Sequence, residues 1–120
     1  MANPKDLEKA LRYSELMKAG KYDEARKIDL RSADLSGANL SLANLFLANL
    51  SHANLSGANL SGAKISIADL SHATLSYANL SRANLSFADL SHANLFLADL
   101  SHATLSYAKI SIGNVVRIIK

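Results

Sequence analysis

Alanine stands at every fifth position from Ala33 to Ala108, and nothing else in the sequence limits its folding so severely. Ile28 and Gly113 occupy the same slot at either end of the series. Leu or Ile follows two places later each time, from Leu30 to Ile110, and Val115 ends that series. Asn, Asp, Thr or Lys lies between them. From Ser36 onward the next residue is Ser, except at Phe46, Phe96 and Val116. The unit reads A-(N/D)-L-S-x and runs about seventeen times without an insertion. Such a run marks a repeat architecture, in which each unit completes its core only by stacking on its neighbours.

Five matches neither the 3.6 of a helix nor the 2 of a strand. Within one unit, however, Ala and Leu are two apart. A three-residue extended piece points both inward and the residue between them outward. Ser-x must then turn the chain so that the next Ala faces inward again. An extended piece and a corner, repeated, make a coil, and stacked coils lie about 4.8 Å apart. The fifth position says how many units close one coil. Sorted by twenty, it collects Leu47, Ile67, Phe87 and Tyr107 in one file and His52, His72 and His92 in another. A third file holds Leu42, Gly62, Arg82 and His102, and the last begins Gly37, Gly57, Tyr77. Sorting by fifteen scrambles them. Four pentapeptides per coil is the reading.

These residues resemble the pentapeptide-repeat family, whose motif is A-(D/N)-L-x-x, over roughly residues 28–116. The resemblance implies an all-β fold, a right-handed quadrilateral parallel β-helix, here of about four coils. The near-perfect units also resemble a consensus-type or designed sequence. Fold does not fix function in such a case, because function lives in sites placed on the fold.

Composition agrees with a single repeated packing cell. Hydrophobic residues make up 49%, but Trp is absent and Phe and Tyr number three and four. There is no Cys, which excludes disulfides, thiolate metal sites and a cysteine nucleophile. No basic region followed by an apolar run opens the chain, and no apolar stretch is long enough to span a bilayer. A cytoplasmic address is the expectation.

The two ends differ. Residues 1–27 read as a helical lid, 28–116 as the rod and 117–120 as a tail. Asn3 can cap a helix that has Pro4 at its first position and Asp6 and Glu8 in its first turn. Leu7, Ala10, Leu11, Ser14 and Met17 give an apolar stripe, and Gly20 stops the helix. A second short helix is expected over roughly 22–27. Acids interleaved with the bases here argue for a solvated face over a nucleic-acid patch. After Ile112 the chain becomes β-branched: either it folds over the last coil, or two molecules meet there, with Val115, Val116, Ile118 and Ile119 as interface candidates. The resemblance implies a homodimer through such C-terminal ends. The competing interface is the side file Leu47, Ile67, Phe87 and Tyr107, with Phe46 close by.

Chemistry is sparse. His52, His72 and His92, with Asp69 and Asp89 on the same side, offer metal-ligating atoms, but a flat ladder does not converge tetrahedrally. A solvated ladder, weakened by repulsion when charged below pH ~6, is the better reading. Ser, His and Asp meet at Asp69, Ser71 and His72, yet a filled rod has no pocket or oxyanion hole for a triad. Asn39, Asn59 and Asn79, joined by Asp99, read as an outer ladder bonding up and down the stack. No enzyme activity, cofactor, metal, nucleic-acid or membrane partner is expected.

The leading reading is therefore a structural or scaffold solenoid, with an unknown protein partner for the apolar or histidine side as the next. The resemblance also implies a third reading, inhibition of bacterial type II topoisomerases such as gyrase by imitating DNA. That requires an acidic rod, since DNA presents one negative charge per ~1.7 Å. Residues 32–112 carry Asp34, Asp69, Asp89 and Asp99 against Lys64, Arg82 and Lys109, which is nearly neutral.

Overall fold

The computed structural model describes residues 1–111. Helix α1 spans Pro4–Lys18. It starts where the Asn3 side-chain oxygen accepts from the N–H groups of Lys5 and Asp6, at 2.9 and 3.2 Å. Pro4 occupies the first turn, where a missing N–H costs nothing. A one-turn helix, α2, covers Tyr22–Ala25. The face that α1 buries holds Ala10, Tyr13, Ser14, Leu16 and Met17. Leu11, expected in the stripe, is exposed instead. Tyr13 takes its place because that face must also carry polar groups to the rod, as described below.

From Leu30 the rod begins. Parallel bridges join positions twenty apart, from Asp34 with Asn54 through to Asn84 with Thr104. Only the last pairing extends into strands, β1 (Asp89–Leu90) and β2 (Lys109–Ile110), paired in parallel. Four pentapeptides therefore separate hydrogen-bonded partners. From Ala33 to Phe87 each pentapeptide makes three backbone bonds to the next turn, as the bonds around Asn54 show. Leu55 N–H donates to the Thr74 carbonyl of the following turn at 2.7 Å, and Gly57 N–H donates to Ser76 at 2.8 Å. In the opposite sense, Asn54 N–H donates back to the Ala33 carbonyl at 2.8 Å. Every Ala and every Leu or Ile slot from Leu30 to Leu95 is buried, which fills the interior with aliphatic columns. Each buried leucine contributes about 1.5–3 kcal/mol relative to exposure.

Two local devices make the corner. The Ala N–H donates back to the Leu carbonyl three residues earlier, as Ala38 does to Leu35 at 3.0 Å. At all twelve Asn or Asp slots from Asp34 to Asp99, the side-chain oxygen accepts the N–H two residues on, at 2.9–3.2 Å. That is the Asx turn, which these two residue types favour. The corner residue x then adopts the left-handed region. Thirteen non-glycine residues do so, at φ 56–64°, among them Ile67, Phe87 and three histidines of one file. The left-handed conformation costs an L-residue roughly 1–2 kcal/mol. The ladder on both sides holds it there.

Lid and rod join through polar groups that imitate a preceding coil. Asn3 N–H donates to the Asp34 carbonyl at 3.0 Å, and the Asp6 carboxylate accepts the Asp34 N–H at 2.8 Å. The Ser14 hydroxyl accepts from Asn44 N–H at 2.8 Å. The Tyr13 hydroxyl donates to the Phe46 carbonyl at 2.6 Å, and burial raises its pKa. Among the described residues no helix is long and apolar enough to cross a membrane.

Candidate functional site

With the interior filled, variation reaches solvent at the corners, along the Asn slots and, at Phe96, in a serine slot. The apolar file is one such corner. Leu47, Ile67, Phe87 and Tyr107 are all exposed, at 53, 49, 58 and 81%. Phe87 and Tyr107 stack face to face with centroids 5.0 Å apart. An exposed apolar file of this kind is a candidate contact surface. Elsewhere Phe96 meets Tyr77 edge-on at 5.8 Å beside the exposed Leu97. Phe46, its counterpart in a serine slot, is partly buried against the core beneath the lid. The other interface candidates, Val115, Val116, Ile118 and Ile119, lie outside the described residues, and so does the proposed C-terminal dimer contact.

The histidine file is a parallel stack. His52 to His72 and His72 to His92 have ring centroids 4.7 and 4.8 Å apart and interplanar angles of 2° and 14°. Nitrogens in parallel planes point side by side, not at a common point. Among the described residues no three His, Cys, Asp or Glu side chains converge for a metal ion. Asp89 lies near this file. The hydroxyl and N–H of Ser91 hold its carboxyl below the ordinary 3.8, aided by the charges of Lys109 and His72. Asp34 and Asp99 are lowered in the same way by Ser36 and Ser101. No relay of serine, histidine and aspartate arises at Asp69, Ser71 and His72. The Ser71 hydroxyl donates to Asp69 at 2.6 Å, as its counterparts do at other slots, and so serves the turn.

The outer amide ladder is corrected. Asn39, Asn59, Asn79 and Asp99 turn their oxygens to Ser41, Ser61, Ser81 and Ser101 of their own units. Among the described residues these side chains make no bond from one turn of the chain to the next. A local acceptor two residues from its donor needs less ordering than a partner twenty residues away, so the turn wins.

One feature escaped the sequence. Between lid and rod lies a groove of about 500 Å³, with Met17, Tyr22 and Arg26 on one side and Phe46, Lys64 and Asn84 on the other. Phe46 and Lys64 both depart from the repeat code, in a serine slot and an Asn slot. Those departures were the available signal, but only folding brings them against the lid.

Comparison with known proteins agrees with this architecture. The family described as pentapeptide repeats matches in eight copies, over residues 26–62, 63–101 and 78–111. No curated protein sequence matches the chain. Among solved structures the chain is similar to HetL, a pentapeptide repeat protein involved in heterocyst differentiation regulation from the cyanobacterium Nostoc sp. strain PCC 7120. Identity is 48% and the TM-score 0.66, over 68% of this chain and 38% of HetL. It is also similar to alr5209, a pentapeptide repeat protein from Nostoc PCC 7120. There identity is 38% and the TM-score 0.54, over 75% of this chain and 74% of that one. The chain thus spans well under half the length of HetL. Repeat code, junction bonds and these matches together place the chain in the pentapeptide-repeat family, with the right-handed β-helix that membership implies.

Proposed function

We propose that the chain is a non-enzymatic structural solenoid of about four coils, closed at one end by its N-terminal helix, that acts by presenting side chains on a rigid lattice. The observation that carries this reading is the unbroken pair of buried columns. They leave the fifth position as the place where residues vary freely, and that position faces solvent at a fixed spacing. The file Leu47, Ile67, Phe87 and Tyr107 is the contact face, and a second copy of the chain is the first partner to test. HetL's part in a regulatory process fits a protein that works by contact. Sedimentation equilibrium provides the test. The parent should associate as concentration rises, and a Phe87→Ser, Tyr107→Ser variant should stay monomeric. A parent that is monomeric at high micromolar concentration removes the self-association.

The DNA-imitating reading ranks behind. It needs an acidic rod, whereas Asp34, Asp69, Asp89 and Asp99 are nearly balanced by Lys64, Arg82 and Lys109. A gyrase supercoiling assay inhibited by the purified chain would reverse this ranking.

A further inference from the structure

We infer that the groove between the lid and the rod is a binding site for a small aromatic acid, a flat ring carrying one carboxylate or sulfonate. The groove meets the contact face proposed above at Leu47, which lines it, but the inference rests on other residues.

The volume, about 500 Å³, lies in the range that holds a small organic ligand. Its apolar surfaces are Met17, Tyr22 and Phe46, suited to a planar ring by size and by edge or face contact. Two cations and one acid reach its lining, Lys64 from the rod and Arg26 and Asp23 from the lid, which leaves it net positive. Arg26 gives one nitrogen to Asp23 at 3.1 Å and keeps other donors for a ligand. Lys64 forms no ion pair among the described residues. Asn84 adds an amide beside it. Ring surfaces beside an unpaired ammonium select an aromatic anion over a neutral ring or a cation.

The repeat code adds an independent argument. Asn or Asp in the slot of Lys64 would accept the Ser66 N–H, as happens at all twelve Asn and Asp slots from Asp34 to Asp99. Lys64 gives up that bond. Phe46 likewise gives up the serine hydroxyl that elsewhere donates to the Asn side chain. Departures from the locally favoured residue occur at Thr74, Phe96, Thr104 and Lys109 too. Phe46 and Lys64, however, line one cavity from adjacent turns of the rod. Local rules broken together at one cavity are what a functional site produces.

The experiment exploits the same code. Lys64→Asn restores the consensus residue, so the rod should fold at least as well, which far-ultraviolet dichroism and a thermal melt verify. Binding of 2-naphthoate and of neutral 2-naphthamide is measured by ligand fluorescence. The parent should bind naphthoate, and K64N should weaken it tenfold or more while leaving the weaker naphthamide binding unchanged. Phe87→Ser, on the apolar file, should leave naphthoate binding as it is. Equal naphthoate affinity in the parent and folded K64N overturns the proposal. So does no binding by the parent at millimolar ligand, or loss of binding in F87S.

Discussion

The first turn of the rod and its last described turn meet solvent differently. At the first turn, Leu35, Leu40, Leu45 and Leu50 are at most 1% exposed, and α1 answers the rim with two side-chain acceptors and two donors. At the last described turn, Leu100, Leu105 and Ile110 are only partly buried. The interior composition is the same at both. Among the described residues, the first turn is the one that meets a non-repeating segment supplying apolar cover and hydrogen-bond partners together. A pentapeptide column protects its middle by repetition and its end only by something unlike itself.

The largest test breaks a column. Leu75→Asp should abolish the cooperative thermal transition, because an unpaired carboxylate in a filled interior costs several kcal/mol beyond the roughly 2–5 kcal/mol of lost packing. Leu105→Asp should leave a melt that is lowered but cooperative. Equal damage at both sites would erase the distinction between middle and end. Next comes the lid. Ser14→Ala strands the Asn44 N–H, and a loss of about 1–3 kcal/mol is expected in urea unfolding. Leu11→Ala, on the exposed face of the same helix, should change stability by less than about 0.5 kcal/mol.

Acid gives a smaller effect spread over both ends. The carboxyls of Asp34, Asp89 and Asp99 sit below the ordinary 3.8 because serines of their own turns bond the charged form. A depressed folded-state value means stability that is present above the unfolded value and is lost as pH falls through the folded one. Melting temperature should therefore decline below about pH 4, and Asp34→Asn, Asp89→Asn, Asp99→Asn together should flatten that decline without changing the neutral melt. A decline of the same size in the triple variant would assign acid sensitivity elsewhere. The smallest comparison is within the corners. Gly57 and Gly62 share φ +66°, but an added Cβ meets nothing at Gly57 and lies 2.8 Å from a Leu42 methyl at Gly62. Gly62→Ala should melt lower than Gly57→Ala by a few tenths of a kcal/mol, since the exposed Leu42 tip can move aside.

The winding interval was legible because the fifth position is read on stacked neighbours: His52, His72 and His92 are like residues that become ring partners. The columns were legible because every unit repeats them, so local exceptions average out. The corner conformation was not. Ile67 and Phe87 disfavour the left-handed region as single residues, and only the ladder bonds above and below impose it. The buried face of α1 was misjudged at Leu11 because Tyr13 and Ser14 are chosen for oxygen atoms that reach the rim, which hydrophobicity does not report. Asn served two readings, turn or ladder, and the sequence had no means to separate them. The groove lining runs from Tyr13 to Asn84, so the departures at Phe46 and Lys64 could not be joined into one site before folding.

Two of the three junction bonds of each pentapeptide run N–H toward the far end and one runs the opposite way. One peptide moment per unit is therefore uncompensated. Four stacked columns of ~3.5 D every ~4.8 Å leave roughly half an elementary charge at each terminus, negative beneath the lid. Residues 1–31, with eight Lys or Arg against six Asp or Glu, sit at that negative pole. The rod thus has an electrical polarity fixed by its direction of winding, and added salt should loosen the helix that closes it before it disturbs the columns.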